Sequence, residues 1–151
     1  MVDPIPSNYP RVSVSLCVDG GAEAIDFYTK ILGATERLRM DHGGKIGHAE
    51  LTIGDSLIMV NDEYPEMDIV GPKIVGGTPV TLTVYVEDVD TAFAAALDAG
   101  ATELRAVENQ FYGDRSGQLL DPWGHRWNIA SHVEDVDPAE IERRAAQMAE
   151  G

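Results

Sequence analysis

Cysteine is nearly missing from this chain. Cys17 is the single one among 151 residues, which excludes an internal disulfide framework and a Cys-rich zinc site. Basic residues are scarce as well: 11 Lys and Arg stand against 26 Asp and Glu, a formal net charge of -15. Such a balance argues against nucleic acid, whose phosphates need a basic surface. No apolar run approaches the roughly 18 residues of a membrane span. The opening MVDPIPSNYP lacks the basic start and apolar stretch of a signal peptide. The expectation is a cytoplasmic protein with neither a nucleic-acid nor a membrane partner. Gly-rich phosphate loops, Ser/His/Asp motifs and zinc-protease helix motifs are also missing.

What is present suffices for a packed core. The chain is 44% hydrophobic and has the length of one ordinary domain, residues 1-151. Its most informative feature is a repeat. Gly33-Ala34-Thr35-Glu36 recurs as Gly100-Ala101-Thr102-Glu103. VSLCVD (Val14 to Asp19) precedes the first copy and LTVYVE (Leu82 to Glu87) the second. Both alternate apolar with small or polar residues, as half-buried strands do. A helical stripe follows each: Ala24, Phe27, Ile31 and Leu32, then Val89, Phe93, Ala96 and Leu97. Gly33 and Gly100 stand where a helix C-cap belongs. ATERLRM and ATELRAV each start a new strand, and two more strands follow in each half. These are about Lys45–Ile53 and Ser56–Asn61, turning at Gly54-Asp55, and about Phe111–Leu120 and His125–His132. Asp121, Pro122 and Gly124 in the second joint suit a type I turn.

The order strand, helix, three strands therefore occurs twice, over about 11-61 and 79-133. Residues 62-78, rich in Pro and Gly, read as a linker. A terminal helix is expected over about 138-149, packed on the outside. The fold class is α+β, two tandem βαβββ modules.

On these features, and on AIDFYTKILGA, VEDVDTAFAAALDAGA and DPWGHRWNIASH, the chain resembles the vicinal oxygen chelate superfamily. That superfamily includes glyoxalase I, extradiol dioxygenases and the fosfomycin and bleomycin resistance proteins. DPWGHRWNIASH together with HAELTIGDS is most similar to the PhnB-like branch. The resemblance implies a mixed sheet cupped around a cleft with helices outside, and a homodimer. It also implies a metal held by His, Glu or Gln from the first and last strands of both modules.

Strand parity tests that implication. Val12, Val14, Leu16 and Val18 belong under the first helix, and Val80, Leu82, Val84 and Val86 under the second. Ser13, Ser15, Cys17, Thr81, Thr83 and Tyr85 then face the cup. The family's ligand positions fall on Ser13, Thr81, Ile58 and Asn128, with Met59 replacing Ile58 if the register slips by one. These side chains lack the lone pairs of a transition-metal site, so no cofactor is expected. One alternative is a displaced divalent-metal site: His48 and Glu50 share a strand face with Thr52, and His125 would complete it. The plainer alternative is a hydrogen-bonded His48–Glu50 pair in a polar cleft.

Ser13, Ser15, Thr81, Thr83, Tyr85 and Asn128 are thus candidate ligand-binding residues. Tyr112 and Arg115 of QFYGDRSG join them by resemblance, as a stacking ring and a partner for a carboxylate or phosphate. The competing reading for Arg115 is a surface salt bridge. Arg126 faces the cup by parity, and Trp127 the helix. Cys17 has no neighbouring base and reads as a structural thiol. Two functions follow as expectations. One is metal-independent binding that sequesters a small molecule, with the acidic charge suiting a cationic one. The other is a lyase- or isomerase-type enzyme with His48 and Glu50 as its acid–base pair.

Overall fold

The protein is described by a computed structural model covering all 151 residues. The chain divides into two compact units. Unit 1 is Met1–Pro79 with Pro122–His125, and unit 2 is Val80–Asp121 with Arg126–Gly151.

Unit 1 holds β1 (Val14–Val18), α1 (Gly21–Leu32), β2 (Thr35–His42), β3 (Lys45–Ile53), β4 (Ser56–Asp62) and the short α2 (Pro72–Val75). Its sheet order is β1-β4-β3-β2, with β1 parallel to β4 and the other pairs antiparallel. Unit 2 repeats the arrangement with β5 (Thr81–Tyr85), α3 (Val89–Asp98), β6 (Thr102–Asn109), β7 (Asp114–Leu120) and β8 (Arg126–His132), in the order β5-β8-β7-β6. α4 (Pro138–Glu150) ends the chain. This is the α+β duplication expected from the sequence, with both GATE segments leading into strands.

Each helix lies on one face of its own sheet. Leu16, Val18, Ala49, Leu51, Ile58 and Val60 are buried with Ala24, Ile25, Phe27, Tyr28 and Leu32 of α1. In unit 2, Val84, Leu119, Trp127 and Ile129 are buried with Val89, Phe93 and Ala96 of α3. Both helices end through a glycine at positive φ, Gly33 at 71° and Gly100 at 105°. There the glycine escapes the Cβ penalty of left-handed backbone. The start of α1 is held by a carboxylate, because Asp62 Oδ1 accepts from Gly20 N and Gly21 N. Ser131 Oγ does the same for α3, accepting from Val89 N.

Several boundaries differ from the sequence reading. Val12 is 86% exposed and Val80 55% exposed, although both were expected under a helix. β1 begins two residues after Val12, and β5 one residue after Val80, so neither valine enters a strand. β7 starts at Asp114, because Gln110–Gly113 forms a turn closed by Gly113 N donating to Gln110 O. The linker contains a 3-10 turn at Pro65–Met67 as well as α2. The β7–β8 turn belongs with unit 1: the Trp123 ring meets Phe27 edge-on at 5.5 Å. α4 has no buried residue, as an outer helix should. Arg144 fastens it by donating to the Phe111 carbonyl and to Glu134.

Candidate functional site

The second face of each sheet, opposite its helix, carries the polar residues. Pairing registers place them in matching rows. In unit 1, Ser15, Met59 and Glu50 lie side by side across β1, β4 and β3. In unit 2, Thr83, Asn128 and Gln118 lie side by side across β5, β8 and β7. Met59 is therefore the counterpart of Asn128. Ile58, the position first expected for a ligand, is 5% exposed and pairs with Leu51 on the core face. The pairing of Glu50 with Met59 and of Leu51 with Ile58 fixes this facing. Ser15 Oγ donates to the Met59 sulfur at 3.7 Å, and Asn128 Nδ2 donates to Thr83 Oγ1 at 3.5 Å. Ser13 and Thr81 occupy the corresponding place in the two units: Ser13 lies just before β1, and Thr81 is the first residue of β5.

On the unit 1 face, Glu50 is 4% exposed and its carboxylate is crowded with donors. Tyr9 OH donates to Oε1 and Oε2 at 3.0 and 3.1 Å. His48 Nε2 donates to Oε2 at 3.0 Å, and Arg37 Nε lies 3.6 Å from Oε1. The Arg37 guanidinium also stacks on the Tyr9 ring, 4.3 Å from its centre, and donates to the Asn8 carbonyl. The N-terminal segment is thus strapped over Glu50. The hydrogen bond from His48 does most to hold the Glu50 carboxyl below its ordinary pKa, with the Tyr9 hydroxyl assisting and burial opposing. Parity put His48 and Glu50 on one face, and the structure does so.

His125 does not join them. Its Nε2 donates to the Cys17 carbonyl at 2.8 Å, and no group of three or more His, Cys, Asp and Glu side chains is arranged to hold a metal ion. The His48/Glu50/His125 arrangement is therefore not formed. Burial raises the Cys17 thiol pKa, with the Glu63 charge adding to it. That disfavours the thiolate a nucleophile needs.

The unit 2 face holds two clusters. At one end Asp114 is 7% exposed and accepts from Tyr85 OH at 2.7 Å and from His132 Nδ1 at 3.0 Å. His132 Nε2 donates onward to Asp135 at 2.7 Å. The Asp114 bond, then the Asp135 bond, raise the His132 pKa. In the middle, Arg105 Nη2 donates to Ser116 Oγ at 3.1 Å and to Asn128 Oδ1 at 3.3 Å. Ser116 is fully buried. Arg126 lies one same-face position from Asn128 along β8, and its Nε is buried with no hydrogen-bond partner. Trp127, on the opposite face, is buried and donates to Asp121 at 2.9 Å.

Two expected residues sit elsewhere. Arg115 pairs across the sheet with Ser131, which caps α3. Its guanidinium grips Asp90 of α3 through two bonds of 2.8 and 2.9 Å, so it is a salt-bridge residue on the helix side. Tyr112 lies in the Gln110–Gly113 turn against Phe111, the ring centres 5.2 Å apart. Tyr9, Arg37, Arg105, Asp114, Gln118 and His132 were not among the expected site residues. Asp114 and Gln118 could have been found by parity, since they alternate with Ser116 on β7. Arg105 could not, because β6 is irregular between Glu103 and Arg105, which breaks the alternation.

Residues 11–129 match the model of the Glyoxalase/Bleomycin resistance protein/Dioxygenase superfamily. The chain belongs to that superfamily. An uncharacterized protein of Mycobacterium bovis is 42% identical over 146 residues, 94% of this chain and 96% of the relative. Among solved structures, TioX from Micromonospora sp. ML1 is 25% identical with a TM-score of 0.62, covering 85% of this chain and 100% of that one. The PhnB protein of Bacillus cereus is 22% identical with a TM-score of 0.61, covering 81% and 99%. TnmS3, an antibiotic binding protein from Streptomyces sp. CB03234, is 18% identical with a TM-score of 0.58, covering 82% and 96%. At those last two identities the likeness is one of fold. No helix is long and apolar enough to cross a membrane.

Proposed function

We propose that this chain is a small-molecule-binding protein of the PhnB-like branch that works without the family's metal. One observation carries the reading. The positions that the resemblance assigns to the family's ligands hold Ser13, Met59, Thr81 and Asn128, and none supplies an imidazole, carboxylate or thiolate. What remains on both sheet faces is mostly polar and hydrogen-bonding, which suits a neutral or charged organic ligand. The fold shared with an antibiotic binding protein is consistent with sequestration.

The acidic surface would gather cations near the protein. Recognition of a cation by the sheet faces is less favoured, because the two buried carboxylates there are already engaged: Glu50 by Tyr9, His48 and Arg37, and Asp114 by Tyr85 and His132.

The competing reading makes His48 and Glu50 an acid–base pair, favoured by their 3.0 Å contact. A general base works best with a pKa near the operating pH. Glu50 is instead held low and covered by Tyr9, a weak arrangement for proton abstraction. Protein purified without chelator or nickel separates the readings. Less than stoichiometric metal, and ligand binding indifferent to EDTA, are expected. A stoichiometric metal lost in His48→Ala would reject metal-independent binding. The family resemblance also leads us to expect a homodimer. Light scattering at micromolar protein should give twice the chain mass of 16.3 kDa, and a mass near 16.3 kDa would remove it.

A further inference from the structure

From the unit 2 sheet face we infer that the ligand presents an oxyanion, a carboxylate or a phosphate, to Arg126 and Arg105. The inference rests on the small-molecule-binding reading and names the chemical class of what that face recognises.

Three observations converge. First, Arg126 Nε is buried and has no hydrogen-bond partner. A buried donor on a permanently charged group is costly to leave unmet. An acceptor supplied by a ligand would satisfy it. Second, Arg105 is held in place by neutral groups, the Ser116 hydroxyl and carbonyl and the Asn128 amide oxygen. Its close carboxylate, Glu108, is 3.9 Å away with a side chain 65% exposed, a contact that solvent screens. Third, both arginines neighbour Asn128 on this face: Arg105 bonds to it, and Arg126 lies two residues along the same strand face, roughly 7 Å away. In a chain of net charge -15, carboxylate partners are abundant. Arg37, Arg39, Arg115, Arg143 and Arg144 each lie within 4 Å of one. On this face Arg126 has no carboxylate within 4 Å, and Arg105 has only the exposed Glu108 at 3.9 Å. Guanidinium forks match carboxylate and phosphate oxygens in geometry and charge.

The experiment is a titration of the full-length protein with inorganic phosphate and, separately, acetate. It is read by NMR at the Arg Nε–H and Asn side-chain amide signals, at constant ionic strength set with chloride. One or both oxyanions should shift Arg126 Nε and the Asn128 amide saturably, beyond the response to chloride. Whichever binds tighter identifies the group. Arg126→Gln should weaken that binding roughly ten- to a hundred-fold, the value of a charge-assisted hydrogen bond. Arg143→Gln, on the outer helix α4, should leave it unchanged. Arg126→Gln should also melt no lower than the parent, since it removes an unmet buried donor. If it fails to fold, Arg126→Lys carries the same reading: it keeps the stem and charge but not Nε–H, and should bind several-fold more weakly. Responses no larger than chloride's, or equal in parent and Arg126 variants, overturn the inference. A parallel screen of neutral aromatic compounds keeps the two readings apart. Neutral binders that shift Asn128 alike in parent and Arg126→Gln would leave small-molecule binding standing and reject the oxyanion. No binder of either kind would reject both.

Discussion

The polar faces of the two sheets share a topology and differ in chemistry. The row Ser15, Met59, Glu50 of unit 1 matches the row Thr83, Asn128, Gln118 of unit 2. In unit 1 the charged member is a carboxylate whose bonding capacity is filled by the chain itself. In unit 2 the row is neutral, and beside it stand Arg105, bonded to Asn128, and Arg126, whose Nε has no partner. The core faces did not diverge in this way. Leu51 and Leu119 hold corresponding core places, and both are almost fully buried. A duplicated sheet must keep its packing face, because each strand has a fixed parity and a helix to cover. Its other face is free to specialise. Unit 1 uses that freedom to pin the N-terminal segment, and unit 2 to keep donors available.

The largest effects should fall where the units are alike. Leu51→Ala and Leu119→Ala should each cost about 2–5 kcal/mol in urea unfolding, the price of a core void. A loss in one and not the other would break the equivalence of the two cores.

The next effect should separate the units. Glu50→Ala removes the shared acceptor of three donors and should cost about 1–3 kcal/mol. Gln118→Ala, its counterpart, should change stability by no more than about 0.5 kcal/mol. A Glu50→Ala melting point as low as that of Leu51→Ala would make Glu50 wholly structural, ending its candidacy as an acid–base residue. Tyr9→Phe should lower the melting point less than Glu50→Ala. It should also make the N-terminal segment more sensitive to limited proteolysis, since the strap loses one hydrogen bond and keeps the Arg37 contact. Proteolysis unchanged from the parent would show that the strap is held by something else.

The smallest effect is in pH, and its sign differs between the units. Glu50 has a lowered pKa, so its stabilisation is complete above the ordinary value of 4.5 and disappears as pH falls through the lower folded value. His132 has a raised pKa. Its stabilisation is complete below the ordinary value of 6.5 and disappears as pH rises through the higher folded value. His132→Asn should flatten the stability profile only on the neutral side, and Glu50→Gln only on the acid side. An acid-side change in His132→Asn would contradict the assignment.

Repetition and helical period were enough to find the duplication and both helix stripes, and strand parity the shared face of His48 and Glu50 and the opposite facing of Arg126 and Trp127. These depend on period and alternation, which are local. What parity missed depends on contacts distant in sequence or on broken alternation. Tyr9 sits in a proline-rich stretch with no period, yet reaches Glu50 across 41 positions. Arg105 follows an irregularity in β6. Arg115 was read as either a ligand contact or a surface salt bridge, and no pattern in QFYGDRSG indicates that Asp90 waits on α3. Ile58 and Met59 differ by one register step, which hydrophobicity could not resolve because both are apolar.

The central claim is that ligand recognition lies on the unit 2 face, needs no metal, and leaves the Glu50 network of unit 1 undisturbed. Its most direct test is a residue-resolved NMR map of oxyanion binding, recorded before and after treatment with EDTA. The account predicts shifts at Arg126, Asn128, Thr83 and Gln118, none at Tyr9, His48 or Glu50, and the same map in both conditions. A map centred on His48 and Glu50, or one that EDTA erases, would contradict it.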